Sequence, residues 1–415
     1  MGKKLVLIVG GLAVLAVGGQ ILTKSRYSAV MESQFDALKS AYQLQGIELS
    51  REISEENFVG AKDIVTITLT QDYLAQYGLT DSSSLSVQID NDCRFFPFYV
   101  MCDSDLSSPS DDLPSLGEFS PVMDYSVNIL FDSISGNLSL DEAVIEENDG
   151  TLTVHPLTLS YDTDLAFDEV NASLNWQGTT LKGSSSGTDI TLGTVDATAE
   201  SSRVFGNVYA SEATFTIANI DISSATYGSS VKINNARFTT EFEEETSETF
   251  ELEYRVAIDD VNAEAQQMMI SDFVLDISLD NISRKTMAYL NAEDTEDSTE
   301  QVTQMLAEFG KSKHSIDIEA FDFKLSDVPV NSAGSLMLSP YDESDLQSGV
   351  FSDKLAGAID ISIGKAVTQA FPASKPVIQQ YLDQGLLSED DDRYKVNVSL
   401  DNGNILANGV PVYQM

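Results

Sequence analysis

Asp63-Ile64-Val65-Thr66-Ile67-Thr68-Leu69-Thr70 alternates from residue to residue. Val65, Ile67 and Leu69 fall on one side of an extended chain, and Ile64, Thr66, Thr68 and Thr70 on the other. Successive side chains of a strand point to opposite faces, so a period of two marks a strand with one packed and one solvated face. The pattern returns in SVNILF (126–131), TLTVHPLTLS (151–160), ASLNW (172–176), TDITLGTV (188–195), RVFGNVYA (203–210), TFTIANIDI (214–222), VKINNARFTT (231–240), FELEYRVAI (250–258) and FVLDISL (273–279). Turn residues separate the runs: NDG at 148–150, KGSSSG at 182–187, YGSS at 227–230. Consecutive strands joined by short turns pair antiparallel. The expected fold class is mainly β (α+β): a large antiparallel meander, as one sheet or two, from about residue 60 to 340.

Helical pattern enters in three places. Arg284 to Phe309 interrupts the strands around the acidic stretch AEDTEDSTE, and strand pattern resumes over Ser315 to Leu325. Ile359, Ile363, Val367, Ala370 and Phe371 lie on one helical stripe stopped by Pro372, and Pro376 to Gln384 forms a second helix ended by Gly385. Two strands, RYKVNVSL (393–400) and NILANGVPV (404–412), then fold about Asp401-Asn402-Gly403, a hairpin turn whose residues accept positive φ. At the other end, Leu5 to Leu22 (LVLIVGGLAVLAVGGQIL) carries no charge, with Lys3 and Lys4 before it and Lys24 and Arg26 after it. As a helix it spans roughly 27 Å, the thickness of a bilayer core.

A secretory signal peptide cut after Ala16-Val17-Gly18 is one reading of that run. An uncleaved transmembrane anchor is favoured, because the run continues through Ile21 and Leu22 and an amphipathic helix, Tyr27 to Leu44, follows it. Lys24 and Arg26 also suit an interface. The expected domains are an anchor at 1–26, a stalk helix and linker at 27–57, a β-rich domain at 58–340, and C-terminal helices with a hairpin at 341–415.

The formal charge of −43, from 66 acidic against 23 basic residues, excludes nucleic acid, since phosphate binding needs clustered Lys and Arg. Acidic clusters such as Asp103, Asp105, Asp111 and Asp112, or Glu389 to Asp392, match no calcium loop, so no metal site is assigned. Cys93 and Cys102 flank RFFPFYVM. A disulfide there closes a loop of about ten residues and contributes roughly 2–3 kcal/mol. The alternative is a pair of buried thiols, and two cysteines are too few for zinc. The bridge is the favoured reading, which places the bulk of the chain outside the cytoplasm.

Gly183-Ser184-Ser185-Ser186-Gly187 matches the G-x-S-x-G nucleophile elbow, with His314 downstream, but the elbow needs a helix after the serine and a strand pattern follows here. His155 and His314, the only histidines, read as isolated imidazoles. Gly357 and Gly364-Lys365 have the wrong spacing for a phosphate loop, and Ala366 replaces its hydroxyl residue. Trp176, the one tryptophan, reads as sheet core. No catalytic residue and no cofactor is assigned.

The chain resembles the YdgA-like family of bacterial envelope proteins, a domain of unknown function. The likeness rests on the lysine-flanked apolar run and on Phe58-Val59-Gly60-Ala61-Lys62-Asp63-Ile64-Val65-Thr66-Ile67 leading into the first alternating strand. It rests also on the ending: Gln384-Gly385-Leu386-Leu387, Tyr394-Lys395-Val396, and Asp401-Asn402-Gly403-Asn404-Ile405-Leu406-Ala407-Asn408-Gly409-Val410-Pro411-Val412. The resemblance implies a single-pass bacterial inner-membrane protein, held by inner-membrane lipid around its N-terminal helix, with a periplasmic β-rich body and no catalytic residues. Three roles are expected in decreasing order: a non-enzymatic interaction or structural protein with an envelope protein partner, a binder of a hydrophobic lipid ligand along the apolar sheet face, and an envelope hydrolase.

Overall fold

The computed structural model describes residues 19–414 apart from 30, 33–34, 37–38, 40–45, 77–83, 108–120, 148–149, 184–186, 207, 226–227, 265–267, 290–297, 343, 346–352 and 402. They fall into two compact units, one of residues 1–147 and 151–179, the other of 148–150 and 180–415.

The first unit contains β1 (Ile47–Glu56), β2 (Gly60–Leu69), helix α1 (Gln71–Gln76), β3 (Leu85–Phe96), β4 (Tyr99–Ser107), β5 (Val122–Asn128), β6 (Ser133–Leu140), β7 (Ala143–Glu147), β8 (Gly150–Val154), β9 (Leu157–Thr163) and β10 (Glu169–Trp176). Its antiparallel order is β1-β2-β3-β4-β5-β6-β9-β10. Ala61, Cys93, Cys102 and Tyr125 stand in one row across β2 to β5, and Cys93 and Cys102 are joined as a disulfide. A helical segment at 19–29 covers this row. Tyr27 is 2% exposed, and its hydroxyl lies 3.1 Å from Cys93 Sγ and 3.0 Å from the Tyr125 hydroxyl. Around it Phe95, Val100, Val127 and Ile134 are buried as one core. The next row is polar and equally enclosed: Arg51 Nε donates to Asp63 at 2.6 Å, Asn91 donates to Asp63 at 2.7 Å, and Ser104 to Asn91 at 2.5 Å. Each carboxylate oxygen of Asp63 is thereby paired, as a buried charge requires.

The transmembrane anchor is corrected here. Among the described residues no helix is long and apolar enough to cross a membrane. Residues 1–18, most of the apolar run, lie outside the described residues. The part that is described packs on protein. Gln20 donates to the carbonyls of Phe58 at 3.1 Å and Phe95 at 2.7 Å, and Thr23, fully buried, accepts from Phe98 N at 2.7 Å. Lys24, expected at a lipid interface, instead faces Glu56 at 3.3 Å. Gln20, Thr23 and Tyr27 share one helical face, and that face belongs to the first unit's core. The single-pass inner-membrane location and the lipid partner expected at 1–26 therefore have no described helix to rest on.

The second unit contains β11 (Thr179–Gly183), β12 (Thr188–Leu192), β13 (Val195–Phe205), β14 (Val208–Ser224), β15 (Ser229–Thr246), β16 (Thr249–Ala263), β17 (Met268–Ser283), α2 (Arg284–Ala288), α3 (Ser298–Phe309), β18 (His314–Leu325), β19 (Val328–Leu338), β20 (Leu355–Gly364), α4 (Val367–Ala370), α5 (Lys375–Asp383), β21 (Ser388–Glu389), β22 (Arg393–Asp401), β23 (Asn404–Ala407) and β24 (Val410–Gln414). β12 and β13 both pair with β14, and the antiparallel order continues β15-β16-β17-β18-β19-β20-β22-β23-β24. Asp272 and Asn281 have φ of 52° and 62° beside register shifts in β17. Short polar side chains tolerate that conformation, and such bulges bend a long strand.

Helical insertions and a C-terminal helix pair with a hairpin stand as expected. Two boundaries differ. Ile359, Ile361 and Ile363 alternate with Asp360 and Ser362 and form strand β20, so the helical stripe begins only at Val367. The stretch 404–412 is two strands, because Asn408 and Gly409, at φ of 48° and 79°, make a turn inside it.

Candidate functional site

Residues directly opposite in an antiparallel sheet share a face. In the second unit this places Ala197, Phe215, Phe238, Val256, Leu275 and Phe321 in one row across β13 to β18. A parallel row holds Phe242, Leu252, Leu279, Ile316, Leu336, Gly357 and Leu400, and another holds Ile217, Ala236, Ile258 and Phe273. β13 to β20 and β22 contribute apolar side chains to the same face. Strands stand roughly 4.8 Å apart, so the six-residue row runs about 24 Å.

That face is not sealed. Phe215 and Phe321 are each 38% exposed, and Leu252 and Tyr254 each 37%. Val256 and Ala236 are buried, while Ile217, Phe238, Ile258, Leu275 and Ile277 are half-buried. One end is closed. There Val208, Phe250 and Ile282 form a buried cluster with Phe205, Phe242, Leu279, Met287 and Phe309 against it. The helices α2 and α3 supply the last two. Ser283 caps α2 by accepting from Thr286 N at 3.0 Å, and Arg284 lies 4.2 Å from the Phe205 ring centre.

The opposite face is strongly acidic. Glu200, Glu212, Glu241 and Glu253 stand directly side by side on β13, β14, β15 and β16. Desolvation, then the charges of Glu243, Glu253 and Glu212, hold the Glu241 carboxyl above its ordinary range. Desolvation and the neighbouring Asp280 push Glu251 up to about 7. Farther along this face lies a polar cleft of about 650 Å³ lined by Glu319, Asp322, Asn331, Asp360, Ser362, Lys395 and Asn397. Many of its groups satisfy one another. Asn397 donates to Asp360 at 2.8 Å, Arg393 donates to Ser362 at 2.9 Å and to Asn331, and Lys395 is drawn to Asp390 at 2.6 Å. The open apolar face, whose side chains remain half in water, is the stronger candidate.

The remaining sequence candidates scatter. Ser185 lies outside the described residues, and β12 rather than a helix follows it. His314 is buried at the start of β18, and His155 sits in a loop 3.1 Å from Glu142. Lys365 faces Glu389 at 3.3 Å after a strand, not in a phosphate loop. Trp176, half-buried at the end of β10, has its indole nitrogen enclosed without a hydrogen-bond partner. Asp111 and Asp112 lie outside the described residues. Among the described residues no three His, Cys, Asp or Glu side chains are grouped to hold a metal ion. The enclosed triad of Tyr27, Cys93 and Tyr125 escaped sequence reasoning, although Tyr27 falls one helical turn after Thr23. Burial pushes the Tyr27 hydroxyl up to about 12 and raises Tyr125 well above its usual range. Both stay protonated and serve as structural hydrogen-bonding groups.

Residues 95–413 match the model of a family described as bacterial protein of unknown function (DUF945). No curated protein and no solved structure matches the chain.

Proposed function

We propose that this chain, which belongs to the DUF945 family of bacterial proteins, is a non-catalytic binder that holds an extended apolar ligand, such as a lipid acyl chain, along the open face of its second unit. The observation that carries this reading is the exposure of continuous apolar rows, Phe215 and Phe321 among them, on a sheet whose other face is acidic. Burying a methylene of such a chain gains roughly 0.8 kcal/mol, and the half-exposed phenyl rings gain cover as well. The acidic face cannot compete for that ligand, so one face alone is selected.

Ile217→Asp tests it. On an open face the new carboxylate reaches water, so the variant folds with an unchanged circular dichroism spectrum. It loses at least about tenfold in affinity for a fluorescent long-chain fatty acid, because a charge now interrupts the row. A wild-type chain that is folded yet shows no saturable uptake of the fatty acid overturns the reading.

A further inference from the structure

His314 is 1% exposed and opens β18 beneath the end of α3. Its Nε2 lies 2.6 Å from the carbonyl oxygen of Phe309, the last residue of α3, and its Nδ1 lies 3.3 Å from the carbonyl oxygen of Asp280 on β17. The imidazole lies flat on the Phe309 ring, with centres 3.6 Å apart and planes within 1°. Carbonyl oxygens only accept, so each ring nitrogen needs a hydrogen to make its bond. A neutral imidazole carries one such hydrogen and the imidazolium two. The histidine is therefore the joint between the sheet and the end of α3, and its proton count sets the number of bonds in that joint.

Two further hydrogen bonds of the joint keep their protons across the range in which histidines titrate, whereas Glu251, pushed up to about 7 by desolvation and then by Asp280, titrates within it. The Tyr341 hydroxyl donates to Leu306 O at 3.0 Å, and Tyr341 N donates to Gly310 O at 2.8 Å. Burial raises the Tyr341 hydroxyl above its usual value, so it keeps its proton. The charged and titratable groups on the surrounding elements include Glu251 on β16, Asp280 on β17, Asp317 on β18 with Lys313 just before it, Glu308 and Lys311 at the end of α3, and Arg284 and Lys285 on α2. Lys311 and Glu308 neutralise each other in an ion pair. One carboxyl oxygen of Asp280 is enclosed without a hydrogen-bond partner. Phe309 packs against the Val208, Phe250 and Ile282 cluster, so a shift at this joint uncovers the closed end of the apolar face.

We propose that His314 is a proton-operated latch on α3: charged, it donates to both Phe309 and Asp280 and clamps the helix end to the sheet; neutral, with its one hydrogen on Nδ1, it keeps Asp280 and releases Phe309. The latch itself stands on this geometry. Only its consequence, a freer end of the apolar face when the ring is neutral, rests on the proposed acyl-chain site.

The chain has two histidines, so imidazole nitrogen spectra of the labelled protein follow each separately, and His155→Gln identifies which is which. In the charged state, reached as the pH is lowered, both ring N–H groups of His314 are present and slow to exchange. In the neutral state, reached as the pH is raised, one is gone. Over the same interval the amides of 303–309, corrected for the intrinsic pH dependence of exchange, exchange about tenfold faster, as the loss of one bond of about 1.4 kcal/mol requires. The amides of β16 and β17 do not. His314→Phe keeps a ring on Phe309 and removes the pH step in α3, whereas Glu251→Gln leaves that step in place. A His314 ring of constant protonation from pH 5.5 to 8, or α3 exchange that ignores pH in the wild-type chain, overturns the latch. These readouts need no ligand, so failure of fatty-acid binding leaves them standing.

Discussion

Both units are built from strands that alternate in the same way, yet one buries its apolar row and the other leaves it half in water. In the first unit Val100 and Cys102 are fully buried and Phe95 is 3% exposed, under a helix that contributes Tyr27 and Thr23. In the second, Phe215 and Phe321 keep more than a third of their surface. The difference lies in what covers the sheet, since the strands themselves carry the same pattern. A helix with three inward residues, one turn apart, seals the disulfide row. α2 and α3 close only the end of the longer sheet near Phe250.

That contrast is most easily broken by placing one charge on each apolar face. Val100→Asp puts an unpaired carboxylate in a sealed core and should unfold the first unit, at a cost of several kcal/mol, seen as loss of the cooperative thermal transition. Ile217→Asp should leave the second unit folded. Equal damage from the two changes removes the distinction. Tyr27→Ala comes next. Truncating a buried aromatic should lower the stability of the first unit by roughly 3 kcal/mol in urea unfolding, and Tyr27→Phe, which loses only the hydroxyl, by about 1 kcal/mol. An exposed, undocked helix would show neither loss. Cys93→Ser should cost roughly 2–3 kcal/mol, provided the bridge acts by shortening the unfolded loop. Two free thiols in unfolded, unreduced protein would remove the bridge altogether.

The acidic face gives smaller effects with a definite sign. Glu251 has its folded value raised from 4.5 to about 7, first by desolvation and then by Asp280. A raised carboxyl favours folding while it is protonated. The contribution is complete below about pH 4.5 and is lost as pH rises through about 7. Stability at pH 5 should therefore exceed that at pH 8, and Glu251→Gln should flatten the profile in that window. An unchanged slope in the variant would assign the pH dependence elsewhere. Glu241→Gln removes one of four adjacent like charges, and should raise stability by a few tenths of a kcal/mol at low salt, with the gain fading as salt screens the row.

The strands were legible because alternation is local, and 214–222, 231–240 and 250–258 carry it almost without interruption. Where two periods overlap, the reading failed. Ile359, Ile363 and Val367 fit a helix, and only Ile361 between Asp360 and Ser362 reveals strand β20. The apolar run misled for a related reason. Gln20 and Thr23 interrupt its end at helical spacing with Tyr27, which marks a face that needs hydrogen-bond partners rather than lipid. The family resemblance is shown over 95–413, which takes in the ending, whereas the apolar run and the Phe58 to Ile67 lead come before the matched region. What no local pattern encodes is coverage: Phe215 and Phe95 each sit in strands, and only tertiary packing decides which meets water. His314 was equally opaque, because both of its partners are backbone carbonyls of distant residues.

Quenching of a tryptophan placed on the open face tests the central claim most directly. With Trp176→Phe removing the native indole, Phe215→Trp puts the only fluorophore of its kind in the exposed apolar row beside Phe238. A long-chain brominated fatty acid should quench it saturably, an unbrominated chain should compete, and adding Ile217→Asp should abolish the effect in a protein that remains folded. A folded chain whose indole at position 215 is indifferent to the brominated acid, or is quenched equally with and without the aspartate, would contradict an acyl-binding face in the second unit.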